Sequence, residues 1–300
     1  MRIGDPWSFL VLQEAFFGVR RFDAFQRNLG IARNTLTNRL ERLVDFGLLT
    51  RLAYQTNPVR HEYRLSPQGL HTYPYALALM RFGDDCLTDE QGGTVELYHT
   101  DCGQRLRPQA VCNHCKREVN VAQVSIELDE SDVLTADPGL SLRTSSRPEL
   151  YTAGRPTSVG RTLAMIGDRW GLSILWLTLA GVNRFDSMHR LLGISRTVLT
   201  ARLERLLVDG MLERRPYQQR PLRHDYRLTE KGEGLLPVLL TLYELGVLWG
   251  GSTRATQVRH LVCGCELHVH IVCGHCHTAV DPHRVQVVER LADVSIQVVT

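Results

Sequence analysis

The stretch LTNRLERLVDFGLL, Leu36–Leu49, returns later as LTARLERLLVDGML, Leu199–Leu212. Working outward from this pair, Trp7 returns as Trp170, Arg21 as Arg184, Gly30 as Gly193, Tyr54 as Tyr217 and Gly69 as Gly232, an offset of 163 each time (170 − 7). At His99 and His260 the offset is 161 (260 − 99). A self-similarity this long marks a duplicated unit of about 120 to 125 residues rather than chance.

Within each unit the apolar period is helical, then briefly alternating, then helical. Leu36, Leu40 and Leu43 fall four and three residues apart, the spacing of a buried helix stripe. A helix is predicted before it over Trp7–Phe17, closed by Gly18, and a short one over RFDAFQRNL, followed by a Gly-Ile turn. After Gly47 the run LLTRLAYQTNPVRHEYRLS reads as a β-hairpin turning at Asn57 and Pro58. A closing helix follows in both copies. Three helices, a hairpin and a last helix make a winged helix-turn-helix. The fold class expected is mainly α with small β wings (α+β), as two tandem winged helix-turn-helix domains, each trailed by a small Cys/His zinc-ribbon-like appendage. The expected divisions are 1–90 and 158–252 for the winged helices, 91–127 and 253–300 for the appendages, and 128–157 for a Pro-, Ser- and Gly-rich linker.

The third helix presents polar side chains away from its leucines. In copy one these are Asn34, Asn38, Glu41 and Arg42, flanked by Arg33, Thr37 and Arg39. In copy two they are Thr197, Ala201, Glu204 and Arg205, flanked by Arg196, Thr200 and Arg202. Asn pairs bidentately with adenine and Arg with guanine in the major groove. Kept arginines with changed Asn positions point to shared phosphate contacts and different base preferences. A solvated helix face has a similar composition, and the following wing favours the DNA reading. That wing carries Arg51, Arg60 and Arg64 in copy one, against Arg214, Arg215, Arg220, Arg223 and Arg227 in copy two. Ser195 can cap the third helix of copy two, whereas Ala32 cannot cap that of copy one.

Eight cysteines without a secretory-type start argue against a disulfide framework and for metal or redox chemistry, and their spacing favours metal over buried reduced cysteines or a remnant site. The runs HTDCGQRLRPQAVCNHC and HLVCGCELHVHIVCGHC supply His99, Cys102, Cys112 and Cys115, then His260, Cys263, Cys273 and Cys276. Both sets step by three, ten and three residues. Each is read as a Cys3His set closing around one zinc, so up to two structural zinc sites are expected and no organic cofactor. Extra donors beside the second set (Cys265, His268, His270, His275, His277 and His283) leave a metal-sensing role open, and Cys86 reads as a small core residue.

These motifs, IGDRW, RFDSM, GISRTVLTARLERL, DGML and P..HDYRLTEKG, resemble the HxlR family of bacterial winged-helix transcription regulators, a MarR-like group; copy one matches nearly as well. The resemblance implies homodimers on palindromic operators, joined through terminal helices. Here it implies self-association, as an intramolecular pseudo-dimer or a homodimer. Some members sense oxidants through a cysteine before the first helix; Ser158 stands there, so thiol sensing at that position is not expected. Copy one begins three residues before Gly4 and lacks most of the helix that would precede the match.

The chain is therefore expected to be a cytoplasmic, non-enzymatic transcription regulator whose partner is double-stranded DNA, with no membrane partner. No phosphate-cradling glycine loop or serine nucleophile motif is present. The alternatives are a metal-responsive regulator acting through the second Cys/His cluster, and a winged-helix protein-interaction module.

Overall fold

The computed structural model describes residues 6–86, 95–128, 157–166, 169–220, 222–249, 256–291 and 294–298. The expected linker lies almost wholly outside these residues, as does the side chain of Cys86.

The first winged helix runs α1 (Pro6–Phe16), α2 (Phe22–Leu29), α3 (Arg33–Asp45), β1 (Leu49–Thr56), β2 (Val59–Leu65), the short α4 (Pro67–Leu70) and α5 (Tyr73–Cys86). The tail that follows holds β3 (Val95–His99), β4 (Gln104–Arg105), β5 (Pro108–Cys112) and β6 (Val124–Glu127). Next comes α6 (Ser158–Ile166). The second winged helix runs α7 (Arg169–Leu179), α8 (Phe185–Leu192), α9 (Arg196–Val208), β7 (Leu212–Gln219), β8 (Leu222–Leu228), α10 (Glu230–Glu233) and α11 (Leu236–Leu248). Its tail holds β9 (Gln257–His260), β10 (Val269–Cys273), β11 (Val285–Leu291) and β12 (Val294–Val298).

The duplicated sequence folds the same way twice. Leu36, Leu40 and Leu43 are buried, as are Leu199, Leu203 and Leu206, so the repeated leucines are core stripes. The turn before each stripe is made by Gly30 and Gly193, both with φ of 61°, a left-handed conformation in which a Cβ is strained. Both wings are antiparallel and bulge at equivalent points, Ala53/Gln55 and Pro216/Gln218.

The two compact units do not follow the order of the sequence. One unit comprises Arg2–Gln109, Thr144–Ala164 and Ile271–Thr300, and the other Ala110–Arg143 and Met165–His270. Each winged helix is thus completed by pieces of the opposite repeat, and the expected spans 91–127, 253–300 and 158–252 are each divided between units. In the first unit β11 pairs antiparallel with β3, setting Val285 against His99. In the second, β6 pairs with β9, setting Val124 against His260.

Helix α6 extends the same exchange. Although it opens copy two in sequence, its first turns pack on the helices of copy one: Thr162 Oγ1 donates to Leu79 O at 2.9 Å, Thr157 Oγ1 to Gln13 Oε1 at 3.3 Å, and Ser158 Oγ to Asp84. Gly83 allows this approach, since a Cβ there would overlap the Ser158 carbonyl. The start of α6 is thus held by copy one through Leu79, Gln13 and Asp84.

The second unit shows what holds such a composite together. Leu236 and Leu240 of α11 are buried with Cys112, Val119, Val258 and Leu267, and Val124, Ile126, Trp176 and Tyr243 pack around them. Trp176 stacks on Tyr243 at 5.4 Å, and the Tyr243 hydroxyl donates to Thr256 O at 2.7 Å. Residues from both tails share one apolar core with the winged helix, so separating them would expose that surface to water.

Candidate nucleic-acid interface and metal centres

On α3, Arg33, Asn34 and Asn38 are exposed, while Thr37, Arg39 and Arg42 are half-buried. On α9, Arg196, Thr197 and Thr200 are exposed, and Arg202 and Arg205 are half-buried. Glu41 and Glu204, farther along the two helices, are exposed as well, so the accessible residues able to donate to base edges lie in the N-terminal halves. Arg42 lies 5.9 Å from the Phe46 ring centroid, and Arg205 pairs with Asp209 at 3.5 Å, so both are engaged at their own helix ends. Thr37 Oγ1 donates back to Arg33 O at 3.0 Å. The helix starts differ as their sequences require: Ser195 accepts from Val198 N at 3.3 Å, and Ala32, with nearly the same backbone angles, offers no cap.

Near these helices, Arg33 sits over Phe22 and Arg196 over Phe185, at 5.0 and 5.5 Å. Arg196 also binds Asp186 at 3.0 Å. In the wings, Arg51, Arg60, Arg214, Arg215, Arg220 and Arg223 are all exposed. Arg51 lies beside Tyr63, and Arg215 is paired with Glu213 at 2.6 Å. Val59 and Leu222, at equivalent positions on the wings, are about 60% exposed, far more than aliphatic side chains usually are.

All eight expected metal ligands gather into two clusters, but not in the expected sets. One cluster is His99, Cys102, Cys273 and Cys276; the other is Cys112, Cys115, His260 and Cys263. The expected grouping of each tail with itself is thus corrected: every cluster takes a His-x-x-Cys knuckle from one tail and a Cys-x-x-Cys knuckle from the other. The physical reason is the strand exchange above, which brings the end of one tail beside the start of the other.

The knuckles have shared local geometry. Gly103 N donates to His99 O and Gly264 N to His260 O, both at 2.8 Å, while Lys116 N and His277 N close onto Cys112 O and Cys273 O at 2.9 and 2.8 Å. Lys116 and His277 take positive φ of 60° and 58° to make these turns. Backbone amides pointing at sulfur favour thiolate. The Thr278 hydroxyl and amide push Cys276 down to about 6 and the Arg117 amide lowers Cys115, whereas burial and neighbouring thiols push Cys112 up, and Cys102 up despite the Gln104 amide. Burial, then nearby Arg117, lowers His260, which favours the neutral imidazole that metal ligation needs.

The interatomic edges can be compared with those of a bound ion. Zinc–sulfur bonds of about 2.3 Å and zinc–nitrogen bonds of about 2.0–2.1 Å give tetrahedral edges of about 3.8 Å (sulfur–sulfur) and 3.6 Å (sulfur–nitrogen). Cys102 and Cys273 are 3.8 Å apart, and His99 Nδ1 is 3.5 and 3.3 Å from Cys102 and Cys276. Cys112 and Cys263 are 3.9 Å apart, and His260 Nδ1 is 3.4 Å from both Cys115 and Cys263. Both donor sets fit a tetrahedral Cys3His zinc site, and the sulfur separations are far too long for disulfides.

Two features around the clusters were not read from the sequence. Asp101 Oδ2 lies 3.7 Å from His99 Nε2, while its Oδ1 accepts from Arg284 Nη1 at 2.7 Å. The equivalent of Asp101 in copy two is Val262; His99 Nε2 and His260 Nε2 are both buried without a hydrogen bond among the described residues, so the two sites differ in the carboxylate 3.7 Å behind His99. Comparing the repeats position by position would have exposed this difference. The other feature is a grouping of His114 with Cys263 and Cys265. Of the extra donors expected near the second set, Cys265 joins it, whereas His268 pairs with Glu244 at 3.2 Å.

Comparison with known proteins agrees with the fold and the repeat. An uncharacterized HTH-type transcriptional regulator of Mycobacterium tuberculosis (strain CDC 1551 / Oshkosh) is 43% identical over 125 residues, covering 42% of this chain and 79% of that protein. The HTH-type regulator YybR of Bacillus subtilis (strain 168) is 32% identical over 111 residues, covering 37% of this chain and 86% of its own. Among solved structures, the redox regulator HypR in its reduced form is 34% identical, covers 29% of this chain and 87% of its own, and superposes with a TM-score of 0.28. No described helix is long and apolar enough to cross a membrane. The profile of the HxlR-like helix-turn-helix matches residues 2–91 and again residues 165–254. The chain belongs to the HxlR family of helix-turn-helix transcription regulators, and carries its domain twice.

Proposed function

We propose that the chain binds DNA sequence-specifically through two unlike reading helices, α3 and α9, and that two zinc ions brace the structure carrying them. The observation that carries this reading is the exposed polar row at each helix N-terminus: Arg33, Asn34 and Asn38 in one copy, Arg196, Thr197 and Thr200 in the other. These residues form the accessible part of a helix-turn-helix, where base edges are read. Arg39 and Arg202 at mid-helix, and Arg42 and Arg205 nearer the C-terminal ends, serve phosphate contact and helix stability. Arg51 and Arg60, with Arg214, Arg215, Arg220 and Arg223, supply contacts from the wings, more of them in copy two. Zinc, when bound, supplies no open coordination position in a complete Cys3His set, so its contribution is structural.

Selection of bound fragments from the source genome, followed by footprinting at single-base resolution, tests the reading. Two unlike half-sites covered by one chain are expected, with affinity falling steeply as salt rises. Absence of any enriched site, with salt-insensitive binding to protein partners, would replace this reading with an interaction module.

A second reading, regulation by metal, is favoured by one observation: His114 and Cys265 stand beside Cys263 and offer it alternative partners. Metal-dependent DNA affinity that disappears in Cys265→Ser would support it.

A further inference from the structure

We infer that the two metal ions are crossed clasps, each closed by one knuckle from either repeat, so that metal binding locks the two copies into an intertwined pair. This inference rests on the metal reading above and extends it to how the chain is assembled. Three independent features of the fold converge on it.

The ligand sets are crossed at both sites. Cys273 and Cys276 come from the second tail and meet His99 and Cys102 of the first; Cys112 and Cys115 come from the first tail and meet His260 and Cys263 of the second. The boundary between the compact units falls between the two knuckles of each tail, at Gln109/Ala110 and His270/Ile271. Each tail therefore contributes its first knuckle to one unit and its second to the other.

Strand pairing enforces the crossing at the ligand itself. His99 stands opposite Val285 and His260 opposite Val124, so the histidine of each site is held in a ladder with a strand from the other repeat. Thr100 N donates to Arg284 O at 3.0 Å, and Leu261 N donates to Gln123 O at 2.8 Å, the same bond at repeat-equivalent positions. The apolar packing agrees: Val124 and Ile126 of the first tail lie against the core containing Leu236 and Leu240 of the second winged helix.

The consequence concerns the metal. A site closed within one tail would stabilise that tail alone. A crossed site binds only when both repeats are in place, so its binding free energy adds to the stability of their association rather than of either part. Loss of one cysteine then affects both copies.

Zinc content of paired variants of the full-length chain distinguishes the arrangements. Wild type is expected to hold two zinc ions per chain by the coordination argument. C102S/C273S and C112S/C263S should each retain one, whereas C102S/C112S and C263S/C273S should retain none. The opposite pattern would show that each tail closes on itself and would overturn the inference. A wild-type chain that binds neither zinc nor cobalt would instead overturn the metal reading. Where a variant does not fold, the wild-type chain is stripped of metal and its thiols joined by a short bifunctional reagent. Peptides linking Cys102 to Cys273 and Cys112 to Cys263 are expected; links of Cys102 to Cys112 and of Cys263 to Cys273 refute the crossing.

Discussion

Substituting Asp101 by Ala tests whether the two metal centres differ as their surroundings require. Asp101 is the one carboxylate placed behind a ligating imidazole among the described residues: Oδ2 is 3.7 Å from His99 Nε2, and Arg284 holds the other oxygen at 2.7 Å. A carboxylate behind a ligating histidine fixes the ring and makes it a better donor, and its removal costs roughly 10- to 100-fold in metal affinity. At 3.7 Å the contact is longer than a hydrogen bond, which places the effect near the lower bound, about tenfold or about 1.4 kcal/mol. The second centre has Val262 at the equivalent position and should already bind more weakly by that amount. Wild type should thus release zinc to a graded chelator in two steps, the site containing His260 emptying first. The assay is cobalt binding in competition with chelator, made in C112S/C263S, which retains only the centre containing His99. There Asp101→Ala should weaken binding about tenfold, and Arg284→Ala by less, because the carboxylate remains. Unchanged affinity in Asp101→Ala would refute the argument, as would an equal loss at the other centre.

The remaining predictions concern the winged helices. Ala32→Ser should stabilise α3 by about 1 kcal/mol and slow amide exchange at Thr35 by roughly fivefold, because the backbone angles at Ala32 match those at the capping Ser195. Ser195→Ala should have the opposite effect on α9, and equal exchange in both variants and wild type would show that neither cap contributes. Asn38→Ala should change base preference at a single half-site by about 1–3 kcal/mol, while Arg205→Ala, which breaks the pair with Asp209, should alter stability more than preference; binding to randomised sites separates the two. Gly83→Ala should lower the denaturation midpoint by an overpacking cost of about 1–3 kcal/mol, since the new methyl meets the Ser158 carbonyl.

Which parts of this structure can be read from sequence depends on how far the deciding interaction lies along the chain. The leucine stripes, the glycine turns and the wings are encoded by residues a few positions apart, and Leu36, Leu40, Leu43 and their copies are buried as their spacing implies. The eight ligands were legible for the same reason, since a three-residue step makes a knuckle. Their pairing was not. Two identical knuckle pairs in one chain can close within a tail or across tails without any change in spacing. The choice is made by β3 with β11, by β6 with β9 and by the packing of Val124 and Ile126, contacts more than a hundred residues apart. Side-chain direction on α3 and α9 was also only partly legible. A helical wheel places Arg42 and Arg205 outward, but their long apolar stems let them fold back to Phe46 and Asp209.

Fusing two copies permits what a pair of identical chains cannot have. In a homodimer every substitution appears on both sides of the two-fold axis. Here Ser195 caps one reading helix and Ala32 leaves the other bare, Asn38 faces outward where the other copy has Ala201, Asp101 stands behind one metal ligand and Val262 behind the other, and Cys265 adjoins only one centre. The eight ligands have not diverged in this way, and the crossed sets explain the difference: each cysteine or histidine serves a centre that both repeats share, so its loss has no local remedy. On the proposed function the two third helices would contribute separately to binding, so changing one would leave the other intact. If metal closes the crossed sites as inferred, such a chain joins two repeats that share their ligands but differ in their third helices. On the proposed DNA reading, an operator of two unlike half-sites is the DNA that two such helices would fit.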